Sequence, residues 1–312
     1  MLIASVVFSV ALVSIRLMEG LPLGVDSTSH LFRIMLISKS YRENGYMPQW
    51  NPYWYGGTPL VLLYPPLAYY LGLVPSLLGL DPVLSYKLVD VVFYLLGPMA
   101  IHRLSRTLGI DHAQSILAAF FFSFSPSVVE NYLFYDRFPS IISIPVVCLF
   151  LIFLSRALCD EYKWTSLIVS GILFGTTILL HHLSALCAAL LGLLLALSTV
   201  LARKKPLAIT HAMAQMLLVI LIGLALSSFW LIPFIEASGR FLTNPFYNRN
   251  VEFPFIRLSY FSINVVTYAF GIIHFALSVF AIWSYSGRYK LKSFIPATFA
   301  AMLLGMALFE SG

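Results

Sequence analysis

Charge is what this sequence has least of. Of its 312 residues only 13 are Asp or Glu and 19 are Lys or Arg, about 10% in all, where a soluble domain carries about a quarter. So little charge, set between long apolar blocks, excludes an ordinary soluble enzyme. The net charge of +6 is no nucleic-acid footprint, because the basic residues fall largely in short clusters between apolar runs, and no nucleic-acid partner is expected. Cysteine is almost missing too. Cys148, Cys159 and Cys187 lie in or beside apolar runs without C-x-x-C spacing, which excludes a disulfide framework or thiolate metal site and leaves small apolar residues. There is no Asn-x-Ser/Thr sequon, no convincing internal repeat, and neither a basic segment nor a small-residue cleavage site around the first apolar run. That run reads as an uncleaved span. The apolar runs are continuous rather than alternating, which argues against a β-barrel.

What is present is an all-α, multi-pass helical membrane protein, read as one module over 1–312 with the lipid bilayer as its first partner. A crossing needs ~20 apolar residues. Nine stretches qualify: 2–18, 84–103, 113–132, 139–157, 165–181, 183–202, 209–235, 263–285 and 293–309. The division at "LLHHLS" follows from paired histidines belonging at an interface. The run 60–79 holds Pro65, Pro66 and Pro75, and prolines interrupt a straight span. If it does not cross, the basic loops at 102–106, 156–163, 203–206 and 288–292 all fall on one side, the cytoplasmic one. The external side then collects a large first loop, 19–83, the loops 129–139 and 236–262, and His181–His182. Lys87 and Asp90, three residues apart within the second span, read as an intramembrane ion pair.

The first loop carries most of the candidate chemistry. Asp26 precedes "STSHLFRIMLIS", a short amphipathic helix whose Leu31, Ile34, Met35 and Leu36 suit the membrane interface. Asp26, His30 and Arg33, offset by four and three residues, share the other side. Asp26 before Ser-Thr-Ser is also a good helix N-cap, so cap and catalytic base are both open. The aromatic run "GYMPQWNPYWYGGTPL" follows. Its Trp50, Tyr53 and Trp54 read either as an interfacial belt or as a stacking platform for a sugar ring. Farther on, Asp136 and Arg137 in "YDRFP" read as a loop ion pair or as phosphate and acceptor contacts. His181 and His182 diverge by ~100° on a helix, which disfavours a shared metal.

The order D-x3-H-x2-R, "MPQWNPYWYGGTPL" and "YPPLAYYL" resembles the first external loop of GT-C membrane glycosyltransferases. More narrowly it is similar to the prokaryotic membrane proteins called 6-pyruvoyl-tetrahydropterin synthase-related, a name that does not imply pterin chemistry. The stretches "YDRFPSIISIPVV", "GILFGTTILLHHLSAL" and "LSSFWLIPFIEAS" extend the resemblance. It implies a GT-C-like fold in the plasma membrane, as part of the cell envelope, with an extracytoplasmic active site. It also implies a polyprenyl-phosphate sugar as donor and a glycan, lipid or protein as acceptor. On that reading Asp26 is the base, and Arg33, Arg137, His181 and His182, with Arg240, are candidates to bind the phosphate. GT-C enzymes usually pair two acids here. Asp26 has none adjacent, so a divalent cation, Mg or Mn, would have only Asp26 and His30 as near ligands. A flippase of lipid-linked sugars and a non-catalytic GT-C-like subunit are the rival readings. The last residues follow an apolar run, as in a short member of such a family or a piece of a longer one.

Overall fold

The computed structural model of the protein describes residues 2–22, 24–54, 57–60, 62, 64–123, 125–159, 164–203 and 206–238. Its elements are α1 Leu2–Leu17, α2 Ser27–Asn44, β1 Trp50–Asn51, β2 Thr58–Pro59, α3 Leu67–Leu77, α4 Pro82–Thr107, α5 His112–Ser123, α6 Pro126–Leu133, α7 Phe138–Cys159, α8 Trp164–Leu180, α9 His182–Arg203 and α10 Pro206–Ser238. The two strands pair as an antiparallel hairpin.

Among the described residues, α4, α7, α9 and α10 are long and apolar enough to cross a bilayer. A fifth span results if α5 and α6, bent by 46°, are taken together. The span expected over 113–132 is therefore broken. Pro126 begins α6 and has no N–H with which to continue the ladder of α5. Helices α1 and α8, of 16 and 17 residues, are shorter, about 24–26 Å at 1.5 Å per residue. Six expected spans coincide closely with α1, α4, α7, α8, α9 and α10. Those over 263–285 and 293–309 lie outside the described residues, as do most of the loop 236–262 and Arg240.

The bundle has two chemically different ends. At one, α4 closes with Arg103 and Arg106, α7 with Arg156 and α9 with Arg203, and His112 at the start of α5 meets His102 with ring centres 5.3 Å apart. At the other, α7 begins, α8 gives way to α9, and the last turns of α10 bring Phe234 to 6.2 Å from His182. Between them α9 alone rises 22 residues, about 33 Å. Packing along the bundle is close. Gly171 and Gly175 of α8 face Gly223 of α10, where an added Cβ would lie 2.4 Å from Phe174 Cδ1. Small residues four apart let membrane helices approach to backbone contact.

A cap of α2, the hairpin and α3 covers the second end. Asp81 starts α4 by accepting from the N–H groups of Val83 and Leu84 at 2.8 and 3.3 Å, an N-cap ahead of Pro82. Helix α2 stops at Gly45, φ 73°, whose N–H donates to Tyr41 O, a left-handed C-terminus that glycine tolerates best. Helix α3 has 11 residues, about 16 Å, too short to cross. Leu31, Ile34 and Ile37 of α2 pack on Tyr69 and Leu73 of α3, Tyr86 of α4 and Phe138 of α7. This corrects the expected amphipathic arrangement. The apolar stripe of α2 points inward, not to lipid, and Met35 is exposed. His30 lies on the same stripe, four residues before Ile34, so polar and apolar residues are not segregated on opposite faces.

Beneath the cap lies a buried ion cluster. Arg16 is the only charged residue in the first apolar run. Its Nε is 2.7 Å from Asp90 Oδ2, an ion contact without hydrogen-bond alignment. Its Nη2 donates to the Tyr86 hydroxyl at 3.1 Å and to Asp136, whose second oxygen accepts from Ser27 Oγ. Arg16, Asp90 and Asp136 are at most 5% exposed. The expected Lys87–Asp90 pair does not form. Lys87 Nζ donates instead to the carbonyls of Met18 and Gly20, at 2.5 and 2.7 Å. The end of α1 leaves carbonyls without helical donors, and a cation is favoured there. Two buried cations thus balance two buried carboxylates.

Removing one member of a buried ion pair costs about 3–5 kcal/mol, because the partner is left uncompensated. Arg16→Met should therefore lower the unfolding midpoint in detergent far more than Arg42→Met, which removes part-buried and exposed bonds to Ser76 and Leu80 but breaks no ion pair among the described residues. Equal midpoints for the two variants would contradict the ion cluster's structural role.

Candidate functional site

The site is built outward from Asp136. Its backbone is left-handed, φ 56°, a conformation costly for a residue with a Cβ. Arg16 and Ser27 hold its carboxylate, and Gly24 lies against it so closely that a Cβ there would be 2.3 Å from Asp136 Cβ. The N–H groups of Val25 and Asp26 donate to the carbonyls of Phe134 and Tyr135 at 2.8 and 2.9 Å. The start of α2 is thus sewn to the turn before α7. Asp136 is no loop ion pair with its neighbour, but a buried tie between three segments.

That tie brings together two candidates far apart in sequence. Arg137 Nη1 lies 3.4 Å from Asp26 Oδ2, with the side chains 44% and 35% exposed. The Asp26 side chain makes no capping bond to α2, which corrects the N-cap reading. An exposed pair at this separation contributes about 0–1 kcal/mol, so a competing anion can take Arg137 at little cost.

Arg33 is held among aromatic rings. Its guanidinium carbon lies 4.9 Å from the ring centre of Trp54, 5.5 Å from Tyr69 and 5.8 Å from Tyr64. Nη1 donates to Ser29 O at 3.0 Å, while Nε is buried with no hydrogen-bond partner among the described residues. Trp54 also stacks on Phe32 at 4.7 Å. Of the three predicted stacking residues, Trp54 alone meets Arg33. Trp50 covers Gly57 in the hairpin, and Tyr53 stands edge-on to Phe32, both largely exposed.

His30 is 4% exposed, with Nδ1 3.0 Å from the Tyr69 hydroxyl and its ring against Tyr64 and Phe138. Burial, reinforced by Arg33, lowers its pKa to about 3, while burial raises that of Tyr69. His30 is therefore neutral at pH 7. As a metal ligand with Asp26 it lacks company: among the described residues no group of three or more His, Cys, Asp or Glu is placed to hold an ion.

His181 and His182 both approach Tyr64, at 6.2 and 6.0 Å between ring centres. The expected divergence of adjacent helical residues does not apply, because His181 sits in the break between α8 and α9. Burial first, then His182, lowers the His181 pKa to about 3. It is not a cation at pH 7, and among the described candidates Arg33 and Arg137 are the positive charges available to an anion. The sequence reading missed Tyr64, Tyr69 and Arg16. Arg16 had a signal, a lone charge inside an apolar run. Tyr64 in "LLYPPL" had none.

His30 and His181 ordinarily titrate near 6.5, and in the fold both do so well below that. The unfolded chain then binds more protons as pH falls from about 6.5 toward about 3, so their contribution to stability, complete above that window, is lost through it. The unfolding midpoint should drop across this window, and His30→Gln should flatten the drop. An unchanged slope would show that His30 is not held neutral.

The model of one protein family, described as the 6-pyruvoyl-tetrahydropterin synthase related domain, membrane protein, matches residues 61–309. No curated protein and no solved structure matches the chain. The matched stretch takes in Tyr64, Tyr69, Asp136, Arg137, His181 and His182, and begins after Asp26, His30 and Arg33. A match over most of the sequence, on a bundle of apolar helices, establishes that the chain belongs to the 6-pyruvoyl-tetrahydropterin synthase related family of membrane proteins.

Proposed function

We propose that the protein is a GT-C-type membrane glycosyltransferase with the nine-span architecture expected from its sequence. It would move a sugar from a polyprenyl-phosphate carrier to an acceptor at the extracytoplasmic face of the plasma membrane. The observation that carries this reading is the Asp26–Arg137 pair, with the aromatic-walled Arg33 acting on the same His30 as Arg137, at the bundle end opposite the arginine-bearing helix termini. By the positive-inside rule the arginine-bearing end is cytoplasmic, and the site then faces outward, where a lipid-borne phosphate can reach it from the bilayer.

The chemistry asks for a base, a phosphate clamp and a platform for the sugar. The donor phosphate displaces Asp26 from Arg137, whose planar fork suits phosphate, and Arg33 supplies a second positive charge. Asp26, released, accepts the proton of an acceptor hydroxyl or amide as that group attacks the anomeric carbon. The new glycosidic bond forms as the bond from the anomeric carbon to the phosphate oxygen breaks. The electron pair leaves on the lipid phosphate, stabilised by the two arginines, and the proton passes from Asp26 to water. Trp50 and Tyr53, largely exposed on the hairpin, are the rings available to stack on the sugar, because Trp54 is already stacked on Phe32 and faces Arg33. The buried ions lie near the ends of α1 and α7, not on broken helices at the bundle's middle, so a flippase gains no specific support.

Asp26→Asn should leave the fold intact, because the side chain caps nothing, and should abolish transfer. Purified protein incubated with polyprenyl-phosphate sugars and candidate acceptors, with products read by mass spectrometry, tests this. Turnover at the wild-type rate by the variant would remove Asp26 as base, and no product from either protein would favour the non-catalytic subunit.

A further inference from the structure

His181 opens α9, and its ring nitrogen Nδ1 is turned toward the first turn of that helix. The backbone N–H of Ser184 donates to Nδ1 at 3.4 Å, and the Ser184 hydroxyl lies 2.8 Å from the same nitrogen. Ser143 Oγ lies 2.8 Å from Ser184 Oγ and 2.7 Å from the Ser140 carbonyl. His181, Ser184, Ser143 and Ser140 are all buried. A backbone N–H can only donate, so Nδ1 must accept. A neutral imidazole carries one ring proton, and with Nδ1 accepting, that proton sits on Nε2. A proton on Nδ1 would point at an N–H donor at the positive end of α9, which the helix dipole also opposes.

Nε2 has no hydrogen-bond partner among the described residues. The ring lies nearly parallel to Tyr64, at 29°, and Arg33 approaches the same tyrosine to 5.8 Å. We propose that His181 is a fixed-tautomer, uncharged hydrogen-bond donor whose Nε2–H is offered to an oxygen of the lipid phosphate bound beside Tyr64. The identity of that ligand rests on the glycosyltransferase reading; the tautomer does not. Such a donor adds direction where the arginines add charge, and it does not change its protonation across physiological pH. The competing role is purely structural, a histidine capping α9.

The test uses the full chain in detergent micelles with 15N-labelled histidine, the His181 signals being assigned by comparison with His181→Asn. Long-range 15N–1H spectra should show a neutral ring protonated at Nε2, unchanged from about pH 5 to about pH 8. A ring protonated at Nδ1, or one titrating near its ordinary 6.5, overturns the assignment. Dodecyl phosphate is the ligand probe. It should shift the Nε2–H resonance, and His181→Asn, which keeps a good N-cap residue, should melt like wild type yet bind the probe about ten-fold more weakly, the worth of one charge-assisted hydrogen bond. Unchanged affinity in that variant overturns the donor role. Neither result depends on turnover, so failure here is distinct from failure of the glycosyltransferase proposal.

Discussion

One guanidinium, buried between two carboxylates from different parts of the chain, sets the rest of this structure. Arg16 at the end of α1 binds Asp90 of α4 and Asp136 of the turn before α7. Its removal would leave two buried carboxylates without the cation that contacts them both. Through Asp136 the same contact reaches Ser27 at the start of α2. Gly24 permits the close approach, and two backbone hydrogen bonds complete it. The partly exposed pair of Asp26 and Arg137 therefore stands on a base whose geometry is over-determined. Its members meet at a fixed place while holding each other weakly, 3.4 Å apart and partly exposed.

The cap adds a wall of rings to that base. Tyr64 is its hub, with His30, Tyr69, His181, His182 and Arg33 arranged around it. Low polarity inside this wall suppresses charge on the imidazoles and strengthens the field of the remaining cations. Around this hub, among the described residues, Arg33 and Arg137 carry positive charge while the buried rings of His30 and His181 stay neutral.

Much of the bundle was legible because lipid imposes a length and an apolar composition on every crossing. The break at 181–182 was legible for the same reason, since paired histidines are poor company for acyl chains. The bend at Pro126 and the inward stripe of α2 were not. Apolar periodicity marks a buried face without saying whether protein or lipid covers it. At the candidate site, Asp26, Arg33 and Arg137 are singled out by residue type and loop position, but the contact of Asp26 with Arg137 depends on Asp136 and Arg16, more than a hundred residues apart in sequence. Local spacing suggested Lys87 for Asp90, and the carbonyls at the end of α1 won that cation instead. The aromatic hub at Tyr64 needed the fold, because nothing in its neighbourhood separates it from an interfacial belt.

The central claim is that the polar cluster faces outward and the arginine-bearing helix ends face the cytoplasm. Cysteines placed at Tyr53, on the exposed hairpin beside the cluster, and at Arg106, at the opposite end of α4, test it with a membrane-impermeant thiol reagent. The native cysteines Cys148, Cys159 and Cys187 supply the background, measured on the protein without the added cysteines. Labelling at 53 in intact cells, and at 106 only after permeabilisation, is the predicted result. The reverse pattern would put the cluster in the cytoplasm and contradict the account.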